Sequence, residues 1–309
     1  DSSGNADLRV DWQGTLPVRV AADLDLFALT FAQAAAPPIV IDRLEGKLNW
    51  RRTAEGWDAE GTGVRMQRGS LRWPASTFAL EFTAGQETGR QAIAAEASFL
   101  RAEDLLPVVQ LLAPELLEKT GLRGFVSGDF TNLDLSLEQA AQNIQTFSIK
   151  GEFARLGYTL PEEGIAIDGL SGRLTADNGG GSLELNVRNA QLGVERLFSD
   201  VLQIESLQGL AIWRAGPQGY RLIAEDLRLV TLEGKGNAAL ELQLDKELAN
   251  PVMDLRADVS LDRVVTVPRY LPKVIPANVL DWLNRGLQGG REASARFILK
   301  GPLSEFPYD

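Results

Sequence analysis

The sequence predicts a mainly β protein made of antiparallel strands, with two short helical insertions. Two observations carry this prediction: apolar and polar residues alternate strictly over long stretches, and turn residues separate those stretches at short intervals. Alternation places one apolar and one polar face on each strand. Between the stretches no regular strand, helix, strand rhythm appears, so a parallel α/β sheet is not expected.

The clearest alternation runs from Asp254 to Asp262, where every second residue is apolar. Short turn motifs follow such stretches, for example Asp177 to Gly181 and Gly234-Lys235-Gly236, and predict hairpins. The same alternation is found in Leu8/Val10/Trp12, Phe78/Leu80/Phe82, Leu133/Leu135/Leu137, Leu183/Leu185/Val187 and Leu240/Leu242/Leu244. We therefore expect a meander of antiparallel strands.

Helical spacing appears in two places. From Asp104, apolar residues recur at steps of three and four up to Leu117, with Pro114 inside the stretch. A second stripe, Val279 to Leu287, follows Pro276 and ends before Gly289-Gly290. The predicted order is a β segment over 1–99, a helical insertion over 100–123, a β segment over 124–266, a helical insertion over 267–290 and a further β segment from 291 to 309. We interpret residues 99–131 and 261–298 as two copies of one module within a continuous structure.

Composition excludes several classes of function. The 309 residues contain no His and no Cys, which excludes imidazole bases, thiol nucleophiles, zinc clusters and disulfides. The net charge of −11 opposes nucleic-acid phosphates, so no nucleic-acid partner is expected. No cofactor or metal site is predicted.

Membrane spanning is not predicted either. The uncharged stretch from Leu26 to Ile41 is interrupted by Pro37 and Pro38, and we expect it to end one element and begin a strand at Ile39. An anchor could lie in a longer protein of which this chain is a piece.

Carboxylate pairs are the remaining candidates for catalysis. Asp23 and Asp25 would share one face of an extended strand, as an acid/base pair requires. Many strands here carry alternating acids, however, so a solvated strand face explains them better. The glycine-rich Asp177 to Gly181 lacks the Lys and Ser/Thr of a phosphate loop and is interpreted as a hairpin turn. An enzyme is not expected.

The residues alone leave two architectures open. In a β-sandwich the apolar faces would cover one another, and this is the commoner arrangement. In an open sheet of repeated hairpins the apolar face would instead line a groove for an apolar ligand.

A family resemblance favours the groove. Tyr270-Leu271-Pro272, Asp281-Trp282-Leu283, Gly289-Gly290 and Arg296 to Leu303 resemble the signature of the YhdP-like branch of the AsmA-like proteins. Hairpins such as Leu44-x-Gly-x-Leu-x-Trp50 resemble it more loosely. The resemblance implies an internal fragment of a bridge-like lipid transfer protein: a periplasmic β-groove, anchored to the inner membrane by an N-terminal helix, which carries phospholipids toward the outer membrane of Gram-negative bacteria.

From this resemblance and the alternation we expect a set of apolar side chains to face the groove and contact phospholipid acyl chains. The inner and outer membranes would be met through parts absent from this chain, and the family offers no catalytic residues. The alternative is a structural β-scaffold that binds a protein partner without lipid. The predicted groove residues are Leu80, Phe82, Leu133, Leu135, Leu183, Leu185, Leu240, Leu242, Leu255 and Val259.

Overall fold

The structure is a computed structural model that describes residues 3–31, 39–85, 89–104, 124–140, 143–195, 200–245, 251–271, 273, 275 and 277–305. Strands dominate this part of the chain. They are β1 (Ser3–Gln13), β2 (Leu16–Phe31), β3 (Ile39–Arg52), β4 (Gly56–Arg68), β5 (Leu71–Arg72), β6 (Ser76–Ala84), β7 (Arg90–Arg101), β8 (Phe125–Ala140), β9 (Asn143–Leu160), β10 (Ile165–Asp177), β11 (Gly180–Val194), β12 (Leu202–Gly216), β13 (Gly219–Thr231), β14 (Gly234–Asp245), β15 (Val252–Arg263) and β16 (Arg291–Pro302). Short 3-10 helices lie at Pro161–Glu163, Val264–Tyr270 and Leu303–Glu305, and one α-helix, α1, at Ala277–Gly286.

The strands form one antiparallel sheet in which sequence order is almost the spatial order. The order runs from β1 to β16, and only β5 lies off this path, paired with β4. Many neighbouring strands, such as β10 and β11 or β12 and β13, are connected by short turns, as expected for a meander of hairpins. Residues 264–290, with a 3-10 helix and α1, connect β15 to β16 instead. The path ends at β1 and β16, so the sheet is open and the predicted fold class is confirmed.

The chain divides into two compact units. The first comprises Asp1–Leu122 and Asp129–Glu152, and the second comprises Arg123–Gly128 and Phe153–Asp309. In the second unit, Val187, Ala190 and Ile204 form a small buried cluster, against which Leu185 and Leu207 pack. Among the described side chains, Val187 is the largest that is fully buried, so most apolar residues are only partly covered.

The turn predictions hold except at one place. Asp177 pairs with Gly180 across a tight turn, and Gly179 N donates to the Asp177 carboxylate at 2.7 Å. The turn predicted at Gly234-Lys235-Gly236 is wrong by two residues. The turn is formed by Leu232 and Glu233, because Thr231 pairs with Gly234, and both glycines lie in β14. Gly234 is needed there for close packing, since a Cβ would lie 2.9 Å from Leu261 Cα on β15.

The helical predictions have different outcomes. The stripe from Leu105 to Leu117 lies outside the described residues. In the second insertion, α1 carries the half-buried Leu280 and Leu283, and the half-buried Leu287 directly follows its last residue, whereas Trp282 is 69% exposed. The helical segment also begins earlier than expected, with the 3-10 helix that starts at Val264.

Candidate apolar groove

An unbroken row of apolar side chains crosses the first unit from strand to strand. Residues that lie directly opposite on neighbouring strands point to the same face. The row runs through the paired residues from β1 to β8, without β5. Its members are Val10, Val20, Trp50, Ala59, Leu80, Ala95 and Leu135. All of them are half-buried.

Neighbouring rows widen this apolar face. Phe82 lies opposite Ile93, which lies opposite Leu137, and the Phe82 ring stacks on Trp57 with ring centroids 5.8 Å apart. On the other side of the first row, a second row of directly opposite residues runs from β1 to β8 and ends at Leu133. Its members are Leu8, Ala22, Leu48, Gly61, Phe78, Ala97 and Leu133. The register therefore brings together the four predicted groove residues of this unit.

The second unit has an equivalent row. From β10 to β16 the register gives Leu174, Leu183, Ala211, Ala224, Leu240, Leu255 and Leu299. The two alanines are buried and the leucines are half-buried. A parallel row contains Trp213, Leu222, Leu242 and Met253, and further rows contain Leu185 and Val259.

The predicted groove residues are thus all half-buried and all on the apolar face of their own unit. Trp50, Trp213 and the row alanines were not singled out from the sequence. The Leu-x-Gly-x-Leu-x-Trp pattern is the signal that could have identified Trp50, and the related Leu207-x-Gly-x-Ala-x-Trp213 could have identified Trp213. The alanines gave no signal, because only their cross-strand partners reveal that they continue the rows.

The opposite face of the sheet carries ion pairs between side chains of neighbouring strands. In the second unit Arg221 donates to the Glu241 carboxylate at 2.8 and 2.9 Å, and Arg296 donates to Asp258 at 2.7 Å. The hydrogen bonds from Arg221, with a further one from Gln243, lower the pKa of Glu241 to about 2. This face is not wholly polar, since Leu210 and Ile212 are 47% and 44% exposed on it.

The candidate catalytic acids also lie on a strand face with cations. Asp25 accepts a hydrogen bond from Arg43 at 3.0 Å, and Asp23 lies 3.7 Å from Lys47. Side chains of Asp23 and Lys47 are more than half exposed, as the solvated-face interpretation predicts. Within the described ranges, no group of three or more Asp and Glu side chains could hold a metal ion.

A charged cluster lies where the β7–β8 ladder of the first unit ends. Arg101 Nε donates to Asp129 at 2.7 Å, and both side chains are only 11% exposed. The hydrogen bond to Asp129 raises the pKa of Arg101, and its guanidinium lies 5.6 Å from the Phe99 ring centroid. Trp73 Nε1 donates to Asp104 at 2.7 Å beside it.

Comparison with known proteins agrees with the sequence resemblance. Over 269 residues the chain is 22% identical to the intermembrane phospholipid transporter YhdP of Escherichia coli (strain K12), a match that covers 83% of this chain and 21% of that protein. The chain therefore spans about a fifth of the length of this curated relative. No solved structure matches. Within the described residues, no helix is both long and apolar enough to cross a membrane. The YhdP protein family matches residues 1–309, and the chain therefore belongs to that family.

Proposed function

We propose that this chain is a segment of a protein that carries phospholipids along a hydrophobic groove between the inner and outer membranes of Gram-negative bacteria. The observation that carries the proposal is the set of apolar rows that cross each unit without a charged interruption, such as the row from Leu174 to Leu299, in which every leucine is half-buried. The curated relative is named as an intermembrane phospholipid transporter, which supports the same role.

A groove would assist lipid transport because exposing an acyl chain to water costs free energy. Each buried methylene is worth about 0.8 kcal/mol, so moving a sixteen-carbon chain through water would cost on the order of 13 kcal/mol. Leucines such as Leu183, Leu240 and Leu255 keep part of their surface free for a ligand. An acyl chain along the rows would cover this surface and remain out of water itself.

Repetition of the rows suits transport better than tight binding. Equivalent leucines recur from strand to strand, as in the direct pair Leu240 and Leu255, followed by Leu299 on β16. A sliding lipid would therefore meet similar contacts at each step and no deep trap. This proposal assigns no catalytic step to the chain, and it places the segment in the periplasm with the membrane anchor and both membrane contacts elsewhere in the full-length protein.

Photo-crosslinking in cells tests the orientation of the faces. A photoreactive residue at Leu185 or Leu242 should capture phospholipid, because both side chains lie on the apolar face. Matched controls at Glu184 and Glu241 are adjacent in sequence and lie on the opposite face. Lipid capture that is equal at the controls, or confined to them, would contradict the proposed groove.

A protein-binding scaffold is the second candidate. It is favoured by the exposed Leu210 and by Ile212, which lies directly opposite Ile223 on the face that bears the ion pairs. A photoreactive residue at Ile212 that captures protein, while Leu185 and Leu242 capture no lipid, would support the scaffold in place of transport.

A further inference from the structure

We propose that the 3-10 helix Val264–Tyr270 is a lid over one end of the apolar face of the second unit, and that a lipid enters the groove there when the lid opens. This inference rests on the proposed function and specifies the place of entry. The lid directly follows β15, and the side chains of its last two residues contact residues at the ends of β12 and β13.

The register places Thr231 and Leu261 on the apolar face, close to the edge of the sheet where β13 and β15 end. In the β14–β15 ladder the pairing continues without a break from Leu240 to Gly234, which lies opposite Leu261. Gly234 also lies opposite Thr231 of β13. Alternate residues of an unbroken ladder share a face, so both end residues lie on the same face as Leu240.

These two end residues are covered, in contrast to the rest of the face. Thr231 and Leu261 are 8% and 7% exposed, whereas Leu255 is only half-buried. The lid contributes to this cover, because the Tyr270 hydroxyl lies 3.1 Å from the Thr231 hydroxyl. Thr266, in the middle of the lid, is itself buried. The lid therefore lies over the end of the apolar face.

Glu233, in the turn between β13 and β14, holds the lid closed through two side chains. The Tyr270 hydroxyl donates to one carboxylate oxygen of Glu233 at 2.7 Å, and Arg269 donates to the other. Glu233 is mostly buried there, and hydrogen bonds to an ionised carboxylate are stronger than those between neutral groups. One carboxylate therefore provides the main attachment of the lid.

The remaining contacts of the lid are weaker. Arg269 also donates to Asp200 at 3.2 Å, but the two side chains are 53% and 51% exposed, and exposed ion pairs contribute little to stability. The backbone bonds at the two ends of the lid are long, at 3.3 Å from Val264 N to Gly290 O and 3.4 Å from Leu271 N to Pro268 O. A segment held in this way opens more readily than the strands beneath it.

Opening of the lid would give an acyl chain access from the edge of the sheet. With the lid closed, Leu261 is covered at the end of the row that contains Val259 and Leu255. With the lid open, this row reaches the edge. An acyl chain that enters there replaces the lid as the cover of Leu261, so entry leaves little additional apolar surface in water.

The first unit provides a contrast, because the residues that follow β7 are held by buried side chains. Arg101 and Asp129 are each 11% exposed and are joined by a 2.7 Å hydrogen bond. Trp73 donates to Asp104, whose side chain is only 2% exposed. Breaking buried ion pairs is costly, so the entry is assigned to the second unit alone.

Opening can be measured with a thiol beneath the lid. The chain contains no Cys, so Thr231→Cys introduces a single thiol, and its rate of labelling by a maleimide reports opening. Glu233→Gln in this background should speed labelling about tenfold, the factor expected when the closed state loses the stabilisation of one charged hydrogen bond. Glu225→Gln is the matched control, because Glu225 is exposed in β13 away from the lid, and it should leave the rate unchanged. Thermal unfolding checks that the variants are folded.

Lipid entry is measured as the initial rate at which the chain takes up a phosphatidylglycerol with one fluorescent acyl chain from phosphatidylcholine vesicles. In the double variant Thr231→Cys/Tyr270→Cys, a short cleavable bis-maleimide can link the lid to β13, because the two native hydroxyls are in contact. Linkage should slow uptake about tenfold, and cleavage of the linker should restore it. Glu233→Gln alone should accelerate uptake, and Glu225→Gln alone should not.

The other outcomes separate this proposal from the proposed function. Equal uptake before and after linkage would show that the segment is a fixed wall, which would overturn the lid and leave the groove intact. Equal labelling rates in the Glu233→Gln and Glu225→Gln backgrounds would also overturn it, because Glu233 would not hold the segment closed. No uptake by the original chain would overturn the lid together with the lipid-carrying function.

Discussion

The indole ring of Trp213 on β12 lies over Gly181 on β11, its direct cross-strand neighbour. A Cβ at Gly181 would come within 2.8 Å of Trp213 Cε2 and would also collide with the Thr175 carbonyl oxygen on β10. The same arrangement occurs in the first unit, where the Phe78 ring lies over Gly61. Glycine in these strands thus makes room for an aromatic ring that lies along the apolar face.

Gly181→Ala should therefore destabilise the chain. Because one of the clashing atoms belongs to the backbone, the strand must shift, and we expect a loss of about 1–3 kcal/mol in the free energy of unfolding. Urea unfolding measures the loss. Gly216→Ala is the control, since a Cβ there would meet only Gly219 O at 3.7 Å, and equal effects of the two variants would contradict the ring-over-glycine account.

Asp129→Ala should be among the more destabilising single changes in the first unit. It leaves the mostly buried Arg101 without its carboxylate partner, and removal of one member of a buried ion pair costs about 3–5 kcal/mol. Asp258→Ala removes the partner of Arg296 in a pair that is 73% and 63% exposed, and should cost less than about 1 kcal/mol. A small effect of Asp129→Ala on the urea midpoint would show that the pair is hydrated in solution.

The pKa of the Glu241 carboxyl group should lie far below that of an ordinary glutamate. Its pKa is lowered from 4.5 to about 2 by hydrogen bonds from Arg221 and Gln243, so its contribution to stability is present above pH 4.5 and is lost as the pH falls toward 2. Carboxyl NMR titration measures the pKa directly. Arg221→Gln should raise the pKa toward 4.5, whereas Arg214→Gln, on the same face and without a described carboxylate partner, should leave it unchanged. An ordinary pKa in the original chain would contradict the bidentate geometry.

Part of the fold could be predicted because strand alternation is a local property. Leu240 and Leu242 share a face whenever β14 is extended, whatever the rest of the chain does. The turn before β14 was misplaced because Gly234 and Gly236 look like turn residues in sequence, while in the sheet they allow β15 to approach closely. Gly234 and its neighbours on β15 are remote in sequence, and no local pattern reveals that contact.

The sequence by itself determined that the chain is built of antiparallel strands with one apolar face, that it contains no His or Cys chemistry, and that it resembles one family. Only the tertiary structure decided which residues lie opposite one another, and hence that apolar rows cross each unit and that Arg101 binds Asp129. The reason is physical: alternation follows from the geometry of a single extended backbone, whereas register depends on hydrogen bonds between strands and on the turns, bulges and close contacts that set their alignment.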